Sequence, residues 1–220
     1  MWKYSIILCF LFTCFCILSI NCLNEREKLT QSLSVYAVGD HLIHPVVYKD
    51  ALQKDGQFDF KPMYHNLKKE IQSADISYIN QESPIGGDDR GLSGYKQFNT
   101  PEAIAQNIVD TGFNVINGAN NHALDQGTEG LEHEINVWKQ IESVFYSGTF
   151  ASQKQRDTIP IVEQKGIKIA MLSYTYGTND IPREEPYQIN YFNEVQIKKD
   201  VAKAKEQSDA IIVSAHWGNE

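Results

Sequence analysis

Four apolar stretches of this sequence each end in a group that can bind a metal ion or move a proton. "VYAVGD" ends in Asp40, "SYINQE" in Glu82, "NVINGANNH" in Asn121 and His122, and "IVSAH" in His216. Carboxylate, amide oxygen and imidazole are the donors of Zn, Mn, Fe or Mg centres that activate water or polarise a phosphoryl oxygen. A carboxylate can bridge two such ions about 3.5–4 Å apart, and a histidine beside a ligand can give a proton to a leaving oxygen. Each group also has a plainer reading. Asp40 after Gly39 could close a turn, and Glu82 could pair with Arg90 or cap the helix near Pro101. Asn120, Asn121 and Asp125 could be turn and capping residues before "QGTEGLEHE". His122 could be a satisfied structural histidine, and His216, followed by Trp217, a half-buried strand end. His41 and His44, in "GDHLIHP", are near enough to Asp40 to be further ligands, whereas His65 and His133 fall in helical stretches and read as surface residues.

What would bring these groups together is an alternating strand and helix pattern. "SLSVYAVGD", "ADISYIN", "FNVING", "ESVFYSG", "IPIVEQ", "IKIAMLSYT" and "DAIIVSAHW" are short, rich in Val, Ile and Tyr, and predict strands. "MYHNLKKEIQSA", "PEAIAQNIVDTG", "GTEGLEHEINVWKQI" and "NEVQIKKDVAKAKEQS" predict helices, the second bounded by Pro101 and Gly112. Alternation of this kind indicates an α/β sheet protein. Parallel strands carry their C-terminal ends to one edge of the sheet, so residues distant in sequence converge there. Two long polar loops, "GGDDRGLSGYKQFN" and "YGTNDIPREEPYQINYF", follow predicted strands, where such folds place binding groups.

The 220-residue chain opens on "MWKYSIILCFLFTCFCILSINC", in which Lys3 is the only charge. This reads as an export segment over 1–22, cleaved or kept as a membrane anchor, followed by a charge-mixed linker over 23–32 and a folded domain over 33–220. The protein is accordingly expected to be extracytoplasmic, membrane-anchored or secreted. Cys22 is also readable as a lipid-attachment cysteine, although Asn21 is a poor match for the small residue expected before one. All four cysteines (Cys9, Cys14, Cys16 and Cys22) lie in this segment, which excludes disulfides and thiolate metal sites from the folded part. The net charge is −8, leaving −9 outside the first 22 residues, and argues against a nucleic-acid binder or a general binder of anionic membrane surfaces. It says little about a focused site, because bound divalent cations reverse the local sign.

The motifs "VGDHLIH", "INQESPI", "FNTPEAI", "GFNVINGANNHALDQGTEGL", "GIKIAMLSYTYGTN" and "DAIIVSAHWGNE" resemble the CapA/PgsA-type poly-γ-glutamate capsule biosynthesis proteins, a bacterial branch of the calcineurin-like metallophosphoesterase superfamily. The resemblance runs from about Val35 to Glu220, and "ANNHALD" and "HWGNE" are its specific blocks. It implies a four-layer α/β/β/α sandwich with divalent metal ions at the strand ends. It puts Asp40 at the first metal, Glu82 at the bridging position, Asn121 and His216 at the second metal, and His122 as proton donor or transition-state stabiliser. The implied partners are the capsule polymer or its synthesis and export machinery, with the membrane reached through the N-terminal segment.

This sequence departs from the superfamily pattern in three places. Leu42 stands where the first motif has a histidine, Glu82 is one methylene longer than the usual aspartate, and a glycine and histidine rich block expected after "HWGNE" is not reached. The expectation is therefore a sandwich incomplete at its C-terminal end, from a truncated form of a longer protein, with weak metal binding and impaired activity. Two other functions stay open beside a metal-dependent hydrolase: a non-catalytic anchoring or export subunit for an anionic polymer, and an inactive truncated fragment.

Overall fold

The computed structural model describes residues 31–218. The expected export segment with the four cysteines, the expected linker apart from its last two residues, and Asn219 and Glu220 lie outside the described residues. All seven predicted strands form: β1 Val35–His41, β2 Ile76–Gln81, β3 Val115–Asn117, β4 Phe145–Ser147, β5 Ile161–Gln164, β6 Ile167–Thr175 and β7 Ala210–His216. The described helices are α1 Pro45–Ala51, α2 Lys68–Ser73, α3 Ala103–Thr111, α4 Gly127–Lys139, α5 Gln153–Asp157 and α6 Glu194–Lys205. Of these, α1 and α5 were not predicted; at seven and five residues they are too short to display a 3.6-residue period. The stretch expected as one helix from Met63 to Ala74 is divided into a 3-10 turn, Lys61–Tyr64, and α2. No helix among the described residues is long and apolar enough to cross a membrane.

The strands make two sheets, in the orders β1-β2-β3-β4 and β5-β6-β7. The first is wholly parallel. In the second, β6 and β7 are parallel, and β5 pairs antiparallel with β6 across Lys165 and Gly166, both at positive φ, as a two-residue hairpin requires. Adjacent residues of one strand show how the layers stack. Ile79 of β2 packs with Ile71, Ile104, Ile108 and Trp138 from α2, α3 and α4. Tyr78 points the other way, and its hydroxyl meets Ser214 Oγ of β7 at 2.5 Å. Beyond the second sheet, Ala170, Leu172 and Tyr174 of β6 pack against Ile197, Val201 and Ala204 of α6. The order is helices, four-stranded sheet, three-stranded sheet, helix, which is the α/β/β/α arrangement expected.

Local sequence explains the helices that frame the site. In α3 the buried Ile104, Ala105 and Ile108 recur at helical spacing, and Gly112 at φ 123° closes the helix, its N–H bonded to the carbonyls of Ile108 and Val109. Asn193 caps α6 by accepting from the N–H of Gln196. On the inner face of α6, Asp200 accepts both guanidinium nitrogens of Arg156, at 3.1 and 2.7 Å, together with the Tyr174 hydroxyl at 2.9 Å. This buried group ties α5, α6 and β6 together.

Candidate metal centre

The site lies between the sheets, at the C-terminal ends of β1, β2 and β7. On β1, Tyr36 and Val38 face the helices, whereas Val35 and Ala37 face the second sheet. Strict alternation would turn Asp40 toward the helices, on the side of Val38. The register instead slips at Gly39, so that Val38 pairs with Ile79 but Asp40 pairs with Asn80. One extra residue transfers every later side chain to the opposite face. Asp40 thus emerges between the sheets, and His41 turns under the helices.

Asp40, Glu82 and His216 form a triad able to hold a metal ion, with one ligand atom from each lying within 4.8 Å of the others. His216 Nδ1 is 3.6 Å from Asp40 Oδ1, and Nε2 is 3.8 Å from Glu82 Oε1. Glu82 and His216 are buried, whereas the Asp40 side chain is 53% exposed and gives the cluster its opening to solvent. Asn121 Oδ1 joins the cluster at 2.9 Å from His216 Nε2. An amide oxygen only accepts, so the Nε2 nitrogen carries the imidazole proton in this arrangement. The donor set of two carboxylates, an imidazole and an amide oxygen fits a divalent cation of the Mn, Fe, Zn or Mg group.

A row of polar side chains crosses the first sheet beneath the triad. Asn117 of β3 donates to Asn80 Oδ1 at 2.8 Å, and Asn80 donates to Asp40 Oδ1 at 2.9 Å and approaches His216 Nδ1 at 3.4 Å. The parallel register aligns Asn117 with Asn80 and Asn80 with Asp40, so three adjacent strands contribute one residue each. The row fixes the Asp40 carboxylate from behind.

Residues 118–126 join β3 to α4 and carry Asn121 and His122. Asn120 is the turn-former: its side chain accepts from the N–H of His122 and donates to the carbonyl of Gln81. Gly148, at φ 110°, lets the chain after β4 press against this loop, where a β-carbon would stand 2.5 Å from the Ala119 nitrogen. His122 is buried, with Nδ1 at 2.7 Å from Asp125 Oδ2, which also accepts from the N–H of Phe98 at 2.7 Å. The carboxylate selects the tautomer protonated on Nδ1, which leaves Nε2 able to accept a proton. Burial raises the Asp125 pKa, against the lowering effect of the bonds from His122 and Phe98. The Phe98 and His122 rings meet edge to face, with centroids 4.8 Å apart.

Of the residues read from sequence, Asp40, Glu82, Asn121 and His216 are brought together here, with His122 next to Asn121 in the chain. The alternative pairing of Glu82 with Arg90 does not form, because Arg90 reaches Glu129 at 2.6 Å. His41 is a structural residue: Nδ1 donates to Gln81 Oε1 and Nε2 accepts from Tyr64, both at 2.7 Å. Its burial lowers its pKa to about 4, which keeps the ring neutral. His44 is exposed and rests on the Phe98 ring at 5.1 Å. His133 pairs with Glu102 on an exposed face, and His65 is exposed, in the turn between the 3-10 segment and α2 rather than in the helix expected there. The sequence reading missed Asn80, Asn117, Asn179 and Tyr176. The first two carried a signal, an asparagine at the end of each of two neighbouring predicted strands.

Two stacked sheets in an α/β/β/α sandwich, the first wholly parallel, with a carboxylate and imidazole cluster at the strand ends, make a fold of the metallophosphoesterase type. Residues 34–220 match the family described as "Bacterial capsule synthesis protein PGA_cap", and the chain belongs to that family. It is 26% identical over 209 residues to "Capsule biosynthesis protein CapA" of Bacillus anthracis, a match covering 89% of this chain and 48% of that one. Similarity to "PGA biosynthesis protein CapA" of Bacillus subtilis (strain 168) is 23% over 193 residues, covering 86% and 50%. An uncharacterized Sinorhizobium fredii protein, y4uA, is 27% identical over 158 residues, covering 68% and 32%. The chain thus spans about half the length of the two capsule proteins it matches.

Proposed function

We propose that this chain carries the metal centre of an exported, membrane-associated component of poly-γ-glutamate capsule synthesis, and that the centre is hydrolytic. The reading rests on one observation above others: Asp40, Glu82 and His216, from three strands, converge within 4.8 Å beside the buried His122–Asp125 pair. In it, Asp40 would hold one metal ion, Asn121 and His216 would hold a second, and Glu82 would serve both. A bound divalent cation would supply Lewis acidity toward a phosphoester, or an amide or acyl bond of the polymer. The chain's own contribution is to hold the donors in place, to keep His122 in one tautomer through Asp125, and to offer its Nε2 for proton transfer. The membrane is reached through residues 1–22, and the partners are the anionic polymer or the machinery that makes and exports it.

The test is metal titration of the purified full chain with Mn²⁺, together with hydrolysis of an activated phosphodiester and of γ-glutamyl polymer. Wild type should bind Mn²⁺. Glu82→Gln should lose at least about tenfold in affinity, and His122→Ala should keep the metal but lose turnover. No binding by wild type, or three indistinguishable proteins, would overturn the hydrolase reading. Leu42, in place of the first-motif histidine, favours a second reading, an anchoring subunit that uses the fold without catalysis. Polymer binding that survives chelation and His122→Ala, without hydrolysis, would select it.

A further inference from the structure

We propose that Asn179 is a positioning residue, and that it determines which end of the Asn121 amide faces the metal cluster. This rests on the metal-site reading above and adds to it a residue from the loop after β6. Asn121 can act as a metal donor only through Oδ1; rotated by half a turn, it would present an NH₂ group to the cluster. In the structure its Nδ2 donates to Asn179 Oδ1 at 3.2 Å, while its Oδ1 meets His216 Nε2 at 2.9 Å. The reversed amide would set two carbonyl oxygens, those of Asn121 and Asn179, against each other, and would bring an N–H toward the protonated nitrogen of His216. Asn179 therefore opposes the reversed state.

The loop is built to hold Asn179 there. Asn179 and Asp180 sit at φ 49° and 62°, left-handed values that Asn and Asp accept better than most residues. Thr178 Oγ1 donates to the carbonyl of Ile181 at 2.6 Å and also contacts the Tyr191 hydroxyl. Arg183 reaches the carbonyl of Ile189 at 2.7 Å, with its guanidinium 3.8 Å above the Tyr191 ring. Three residues before Asn179, Tyr176 stacks on the His216 ring at 6.1 Å and donates its N–H to the His216 carbonyl. One braced loop thus touches both residues assigned to the second metal, Asn121 through its amide and His216 through its ring. Groups that orient metal ligands in this way commonly change affinity by 10–100-fold when removed.

The informative variant is Asn179→Gly, which removes the side chain but keeps the left-handed backbone at no steric cost. Asn179→Asp retains the acceptor. Two measurements on the full chain at one fixed pH separate this proposal from the one it rests on. In the metal-free protein, ¹⁵N NMR of His216 should show the Nε2-protonated tautomer in wild type and Asn179→Asp, with a shift toward the Nδ1-protonated form in Asn179→Gly. Titration with Mn²⁺ should show about tenfold weaker binding by Asn179→Gly and recovery by Asn179→Asp. An unchanged His216 tautomer in Asn179→Gly overturns the proposal, as does Mn²⁺ affinity equal to that of a metal-binding wild type. A tautomer shift in a protein that binds no Mn²⁺ supports the positioning role and refutes the metal reading.

Discussion

Glu134, on the buried face of α4, should make the stability of this protein fall as pH rises toward neutrality. Its carboxyl accepts from Trp138 Nε1 at 3.2 Å and receives a backbone bond from Ile85. Burial outweighs both bonds and lifts its pKa from 4.5 to about 7. Between these values the folded protein holds a proton that the unfolded chain has released. The contribution is therefore complete below pH 4.5 and is lost as pH rises through 7. A rise of this size, at ~1.36 kcal/mol per pH unit, corresponds to about 3 kcal/mol. For a chain of this length that is roughly 6–12 °C in melting temperature. Glu134→Gln keeps an acceptor for Trp138 and cannot ionise. Urea unfolding of both proteins at pH 5 and pH 8, at one ionic strength, isolates the effect because the other titrating groups cancel. Glu134→Gln should gain about 2–3 kcal/mol relative to wild type between the two pH values, since part of the effect is already lost at pH 5. A relative change below ~0.5 kcal/mol would mean that the carboxylate is solvated in the folded state, and the burial argument would fail.

Three further perturbations probe the positioning of the site. Deleting Gly39 should straighten β1 and turn the Asp40 carboxylate toward the helices, with at least about a tenfold loss of Mn²⁺ affinity by titration calorimetry. Asp125→Ala should remove the acceptor that holds the proton on His122 Nδ1 and free the ring to change tautomer; hydrolysis assays should show turnover down by roughly 10²–10⁴-fold, with Mn²⁺ affinity nearly unchanged. Asp200→Ala leaves the buried Arg156 guanidinium without its carboxylate and should cost about 3–5 kcal/mol in urea unfolding, with no direct effect on metal binding because α6 carries no donor of the cluster.

The strands were legible because each is a short apolar run bounded by turn residues, and the same runs ended visibly in Asp40, Glu82, Asn121 and His216. Parallel pairing made their convergence a reasonable expectation, since the C-terminal ends of such strands share an edge. Asn80 and Asn117 also stand at the ends of neighbouring predicted strands, a signal that the sequence reading passed over.

The structure decided what depends on facing and contact. Whether Asp40 or His41 enters the site turns on a one-residue slip at Gly39, and a sequence pattern of period two cannot reveal which residue is skipped. His41 satisfies both ring nitrogens against Gln81 and Tyr64, partners 40 and 23 residues away. Glu82 faces His216 instead of Arg90 because β2 and β7 belong to different sheets that close on one another. Asn179 reaches Asn121 across 58 residues only because the loop after β6 folds back over the strand ends. The sequence by itself therefore determined the kinds of donor and the edge of the sheet they would occupy. The tertiary structure decided which donors face inward and which neighbours orient them, because side-chain direction in a strand depends on register, and register is set by pairing with residues far away in the chain.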